Sequence, residues 1–129
     1  MTPRVTFSSK EAPKPVGPYS QAVASYDHVF LSGQTPVDPA SGARVKGSLA
    51  EQTQSCFDNL GAVLDAAGLG FGDVVKVNVY LTAMADFAEM NEVYARQFEE
   101  PYPARTTVAV AALPLDARIE IELVARRPA

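Results

Sequence analysis

Two hydrophobic rhythms divide the chain. Between Ser48 and Gly68 the residues Thr53, Cys56, Phe57, Leu60, Val63, Leu64 and Ala67 recur every three or four positions, the spacing of one helix face. Ser48 and Glu51 form an S-x-x-E capping box ahead of this run and Gly68 stops it. A second helical stripe, Phe87, Met90, Tyr94 and Phe98, opens at the cap-like pair Asp86 and Glu89 and is closed by Pro101 and Pro103. Between them "DVVKVNVYL", Asp73 to Leu81, switches to period two. Val75, Val77, Val79 and Leu81 then share one face, and the β-branched content predicts a strand.

Shorter strands flank these elements. Tyr19 to Ala24 and "HVFLSGQ", His28 to Gln34, predict a hairpin, with Gly33 marking a place where backbone or ligand comes close. The stretch "TPVDPASGARV" carries Pro36, Pro39 and Gly42 and reads as a loop. Residues 1–16, rich in Pro, Ser and Lys, read as an irregular arm. A strand begins near Arg105, and in "RIEIELVARR" Ile119, Ile121, Leu123 and Ala125 alternate with Arg118, Glu120, Glu122 and Val124.

The order of strands and helices implies two crossover units in one domain, 1–129, with both helices packed on one face of the sheet. The opposite face is half apolar and uncovered, which points to a homo-oligomer that buries it.

Composition narrows the function. With 47% apolar and 20% charged residues the chain is an ordinary globular protein, and no apolar run is long enough to span a membrane. The first residues lack a secretory h-region, so the cytoplasm is the expected location. A net charge of −4 without a basic cluster argues against nucleic acid. One cysteine and one histidine leave no disulfide and no conventional zinc set, and no phosphate-cradling glycine motif is present, so neither metal nor nucleotide cofactor is expected.

Arg105 stands out because the next six residues are small or apolar, leaving room for a small carboxylate to meet its forked guanidinium. Glu120 is a second candidate, on a strand between two isoleucines. Plainer readings stand beside both: a surface or interface ion pair for Arg105, and a solvated charge for Glu120. If the last two strands formed a hairpin at Pro114 to Asp116, roughly 16 Å would separate the two side chains. Either those strands are not neighbours, or the residues meet across a subunit boundary. Tyr19, in "GPYSQA", offers a hydroxyl after a Gly-Pro turn, although a packed tyrosine is commoner. His28 reads as structural or exposed, Cys56 as a buried inert thiol, and Lys76 has no local sign of Schiff-base chemistry.

The segments "GPYSQA", "LSGQTPVDPASG", "ADFAEMNEVYARQF" and "PARTTVAVAALPLDARIEIE" resemble the reactive intermediate deaminase family, also called Rid or YjgF, from about Gly17 to Arg127. The resemblance implies an α+β fold of the bacillus chorismate mutase type: a mixed sheet with two helices on one face, assembled as a homotrimer with clefts between subunits. The last strand is inserted away from its predecessor in that fold, which removes the hairpin. The implied reaction is cofactor-free hydrolysis of 2-imino or enamine acids, such as 2-aminoacrylate and 2-iminobutyrate, to 2-keto acids and ammonia. Arg105 would then bind the carboxylate, Glu120 orient or deprotonate water, and Tyr19 line the pocket. Gly33 and Thr107 would add backbone groups and Asn91 a supporting polar contact. Thr107 departs from the family pattern, which has cysteine there, and this bears on substrate range. A trimer that binds small metabolites or acts as a chaperone, without turnover, is the alternative.

Overall fold

The computed structural model describes residues 4–128. Eight elements follow one another: β1 (Val5–Phe7), β2 (Ala22–Ser25), β3 (His28–Gln34), α1 (Leu49–Ala66), β4 (Val74–Leu81), α2 (Phe87–Ala95), β5 (Ala104–Ala109) and β6 (Ile119–Arg126). The strands form one sheet in the order β1-β2-β3-β6-β4-β5. β6 runs antiparallel to both β3 and β4, whereas β4 and β5 are parallel. Both helices are therefore crossovers, and the first spans the gap into which β6 is inserted. The expected α+β architecture is present, and β5 and β6 are not neighbours.

The core lies between the helices and one sheet face. α1 buries Leu49, Thr53, Cys56, Phe57, Leu60, Val63 and Leu64, against Val77, Val79, Leu81, Ile119, Ile121, Leu123 and Ala125 of the central strands. Phe57 is fully buried at the centre of an aromatic cluster, with its ring centroid 5.9 Å from those of Phe71 and Tyr94 and 5.8 Å from that of Phe98. Phe57→Ala is expected to cost ~3–5 kcal/mol, because it removes the ring on which three others lean. The capping box at Ser48 and Glu51 is formed as expected: the Glu51 amide donates to Ser48 Oγ at 3.1 Å, and the Ser48 amide faces Glu51 Oε1 at 3.4 Å.

Four details differ from the sequence reading. The expected irregular arm contains β1, which adds to the edge of β2. The second strand starts at Ala22 and leaves Tyr19 in the preceding turn. Val75 is exposed, not interior, because a register irregularity between Val74 and Lys76 turns it outward. Asp86 does not cap α2 with its side chain; it accepts from Arg118 Nη2 at 2.8 Å, while Glu89 Oε2 accepts from the Ala50 amide at 2.8 Å. In both cases a tertiary partner outcompetes the local cap. No helix among the described residues is long and apolar enough to cross a membrane.

Candidate active site

Period two along β6 decides what Glu120 can do. Its neighbours Ile119 and Ile121 point to the helices and are fully buried, so Glu120 and Glu122 stand on the open face of the sheet. Gly33 lies directly beneath the Glu120 carboxylate. A Cβ added to Gly33 would lie 3.0 Å from Glu120 Cδ and closer still to Oε2, so the carboxylate rests where any other residue would carry its side chain. The glycine in "LSGQ" is thus explained by close approach.

Around this pair opens a cavity of about 710 Å³, lined by Tyr19, Ser32, Gly33, Leu115, Glu120 and Glu122 among others. The segment carrying Tyr19 is tied down from two sides. Ser32 Oγ donates to the Ser20 carbonyl at 2.6 Å. The Gln21 side chain accepts from the Ser9 amide at 2.6 Å and donates to the Pro13 carbonyl at 2.9 Å. On the far wall Leu115 is exposed and adopts a left-handed backbone, φ 59°, unusual for a branched side chain.

Electrostatics raise the proton affinity of Glu120. Partial burial, and secondarily the neighbouring Glu122, push its carboxyl above the ordinary carboxylate range. Glu122 accepts a short hydrogen bond from the Tyr80 hydroxyl. That bond is the main reason the Tyr80 phenol is pushed up to about 12. Tyr80 therefore stays protonated and holds Glu122 in place.

Arg105 is built differently. β5 pairs with β4 so that Arg105 is level with Val77, whose side chain is buried under the helices. Arg105 and Thr107 consequently project to the helix face at the sheet's edge. The guanidinium donates from Nη1 to Asn91 Oδ1 at 2.6 Å, and its carbon lies 4.6 Å from the Tyr94 ring centroid and 5.4 Å from that of Phe87. Among the described residues no carboxylate lies within ion-pair distance of it. A second cavity of about 480 Å³ opens here, lined by Asn91, Tyr94, Tyr102, Pro103 and Arg105. Thr107 Oγ1 and Tyr94 Oη, both on this side, are buried without a hydrogen-bond partner.

The structure therefore brings the expected residues together as two groups: Tyr19, Gly33 and Glu120 at one cavity, Arg105 and Asn91 at the other, with Thr107 beside them. Within one protomer the two groups do not meet. Glu120 is level with Tyr80 and Arg105 with Val77, which is about 10 Å along the strands and about 10 Å across two strand spacings. They also occupy opposite faces. Insertion of β6 removes the hairpin, as expected, but does not close this gap.

Other candidates fall as read. Cys56 is fully buried, its thiol pushed well up by burial; His28 is exposed at the start of β3; and Lys76 donates to Thr106 Oγ1 at 2.8 Å. The sequence reading missed Phe87 and Tyr94 as neighbours of Arg105, since both fell in an apolar stripe. It also missed Tyr80 and Glu122 beside Glu120, for which alternation along two strands was the available sign.

Nearly all of the chain has counterparts in known proteins. The family model described as endoribonuclease L-PSP matches residues 9–127. A RutC family protein of Pyrococcus horikoshii is 51% identical over 117 residues, 91% of this chain and 93% of that protein. A 2-iminobutanoate/2-iminopropanoate deaminase of Dermatophagoides farinae is 43% identical over 122 residues, 95% of each. The crystal structure of RidA from an Antarctic Psychrobacter superposes with a TM-score of 0.91 at 43% identity, covering 95% of this chain and 98% of that one. A mixed sheet of the chorismate mutase type, matched over this length and at this identity, means that the chain belongs to the reactive intermediate deaminase family, Rid or YjgF.

Proposed function

We propose that this protein hydrolyses small 2-imino acids and their enamine tautomers, of the 2-aminoacrylate and 2-iminobutyrate type, to 2-keto acids and ammonia. The site is shared between protomers of a homotrimer. Arg105 of one subunit holds the substrate carboxylate and Glu120 of its neighbour acts on water. The observation that carries this reading is the pair of half-sites on opposite faces of one sheet: an arginine without an anionic partner among the described residues, and a carboxylate lodged over Gly33 with its proton affinity raised. Each lacks what the other has, and a second copy of the chain supplies it.

The chemistry asks little of the protein. The carbon of a protonated imine is already electrophilic, so water adds to it as Glu120 accepts a proton from that water. The C=N electron pair moves to nitrogen and gives a carbinolamine. Glu120 then returns the proton to the nitrogen, the C–N bond breaks and ammonia leaves, while the hydroxyl oxygen becomes the ketone and releases its remaining proton. No electron transfer is involved, and the chain's own side chains suffice without a cofactor. Tyr19 lines the same cavity as Glu120, with its hydroxyl available to the carbinolamine oxygen. Backbone groups at Gly33 and Thr107 complete the hold on the substrate. The net charge of −4 supplies no counterion-release drive for the RNA that the family's description suggests.

The test generates 2-iminobutyrate from threonine with a dehydratase and follows the release of 2-ketobutyrate with and without this protein. Acceleration at micromolar protein is expected. No acceleration, together with retained binding of 2-ketobutyrate, would favour a protein that only binds small acids.

A further inference from the structure

Among the described residues Arg105 is held only by uncharged groups, although the helix it faces, α2, carries two glutamates. Phe87, Asn91 and Tyr94 are spaced by four and three residues and so share one face of α2, and all three touch the guanidinium. The acidic residues of the same helix do not pair with it: Glu89 accepts from the Ala50 amide, and Glu92 is exposed and in no ion pair among the described residues. Arg118, by contrast, has the Asp86 carboxylate at 2.8 Å. Among the described residues Arg118 is neutralised internally and Arg105 is not.

We infer that Phe87, Asn91 and Tyr94 form a charge-neutral cradle that fixes the direction of Arg105 while leaving its charge uncompensated, so that an incoming carboxylate meets no internal competitor. These three are positioning residues, and the inference rests on the reading that Arg105 receives the substrate carboxylate. Aromatic rings attract a guanidinium without consuming its N–H groups, and one amide oxygen occupies only one of five donors. A carboxylate in the cradle would hold Arg105 equally well but would have to be displaced by every substrate. Tyr94 has a second qualification. Its hydroxyl is buried without a partner and its phenol is pushed up by burial, so it stays neutral beside the cation.

The decisive variant is Asn91→Asp, which keeps the shape at an exposed position and places a carboxylate within hydrogen-bond distance of the guanidinium. KM for the imine and Kd for 2-ketobutyrate should both rise about tenfold or more, while kcat changes less than about twofold. Asn91→Ala, which adds no charge, should raise them only about threefold. Phe87→Leu should weaken 2-ketobutyrate about threefold with its melting temperature near that of the parent.

Arg105→Ala is the reference. If it binds 2-ketobutyrate as tightly as the parent, the carboxylate-binding reading itself is wrong. If it loses binding while Asn91→Asp and Phe87→Leu keep parental affinity, only the cradle is overturned.

Discussion

Two inactive variants should restore each other if the site is shared. Arg105→Ala removes a charge-assisted contact to the substrate carboxylate and should lower kcat/KM about a hundredfold or more. Glu120→Gln keeps the side-chain shape but cannot take the proton from water, and should lower kcat by a factor on the order of 10² to 10⁴. In one protomer the two positions lie about 10 Å apart along the strands and about 10 Å across them, on opposite sheet faces. No substrate of about six or seven heavy atoms spans that gap through a packed sheet. When the two variants are unfolded together and refolded, each cyclic interface draws its arginine and its glutamate at random, so about a quarter of the sites in an equal mixture carry both native residues. Turnover in the dehydratase-coupled assay should then recover to about 25% of the parent, some twenty-five-fold or more above either variant alone. A refolded mixture no more active than the average of the two separate variants would refute the shared site.

Glu120→Gln should also report on pH. Folding favours the protonated form of Glu120, so its contribution to stability is present below the ordinary carboxylate range and is lost as pH rises through the raised pKa. The melting temperature of the variant should therefore gain on the parent as pH climbs across that window, and parental kcat/KM should rise over the same window as the base ionises. Flat profiles in both measurements would count against Glu120 as the base. Gly33→Ala forces the Glu120 carboxylate off its seat, since the atoms nearest the new Cβ, the carboxylate and Cγ, all belong to that side chain. The fold should survive with a nearly parental melting temperature while kcat falls about a hundredfold, and full activity would show that the seat is irrelevant. Leu115→Gly relieves a left-handed leucine and should stabilise the chain by ~1 kcal/mol in urea unfolding. If it does so while KM rises, the side chain is there for the cavity; unchanged KM would deny it that role.

The elements whose evidence is local were legible from the sequence. Residues Ser48 to Gly68 carry a cap, a stripe and a stop within one segment, and the helix forms there with its capping box intact. The open, charged side of β6 followed from the same local reasoning, because Ile119, Ile121, Leu123 and Ala125 alternate without interruption and are buried. Misreadings occurred where a distant partner competes with a local one. Asp86 has the spacing of a cap, but a guanidinium 32 residues away binds it instead. Val75 has the parity of a core residue, but the pairing of β4 with β6 slips by one beside it and turns it outward.

The candidate site shows the same limit more sharply, since its two key candidates could be singled out and still could not be related to each other. Parity along a strand says which residues share a face, but it cannot say whether Arg105 shares a face with Glu120, since that depends on which strand lies between them. β4 is that strand. It is parallel to β5 and antiparallel to β6, and it sets Arg105 level with buried Val77 and Glu120 level with Tyr80 on the open face. Periodicity also could not distinguish two uses of one apolar stripe. Met90 goes only to the core, whereas Phe87 and Tyr94, the latter also part of the buried cluster around Phe57, lie beside a cation. An aromatic residue satisfies the helix rhythm equally well in either place. The available sign was the polar Asn91 between them at spacings of four and three, a side chain able to accept a hydrogen bond on the line of two rings.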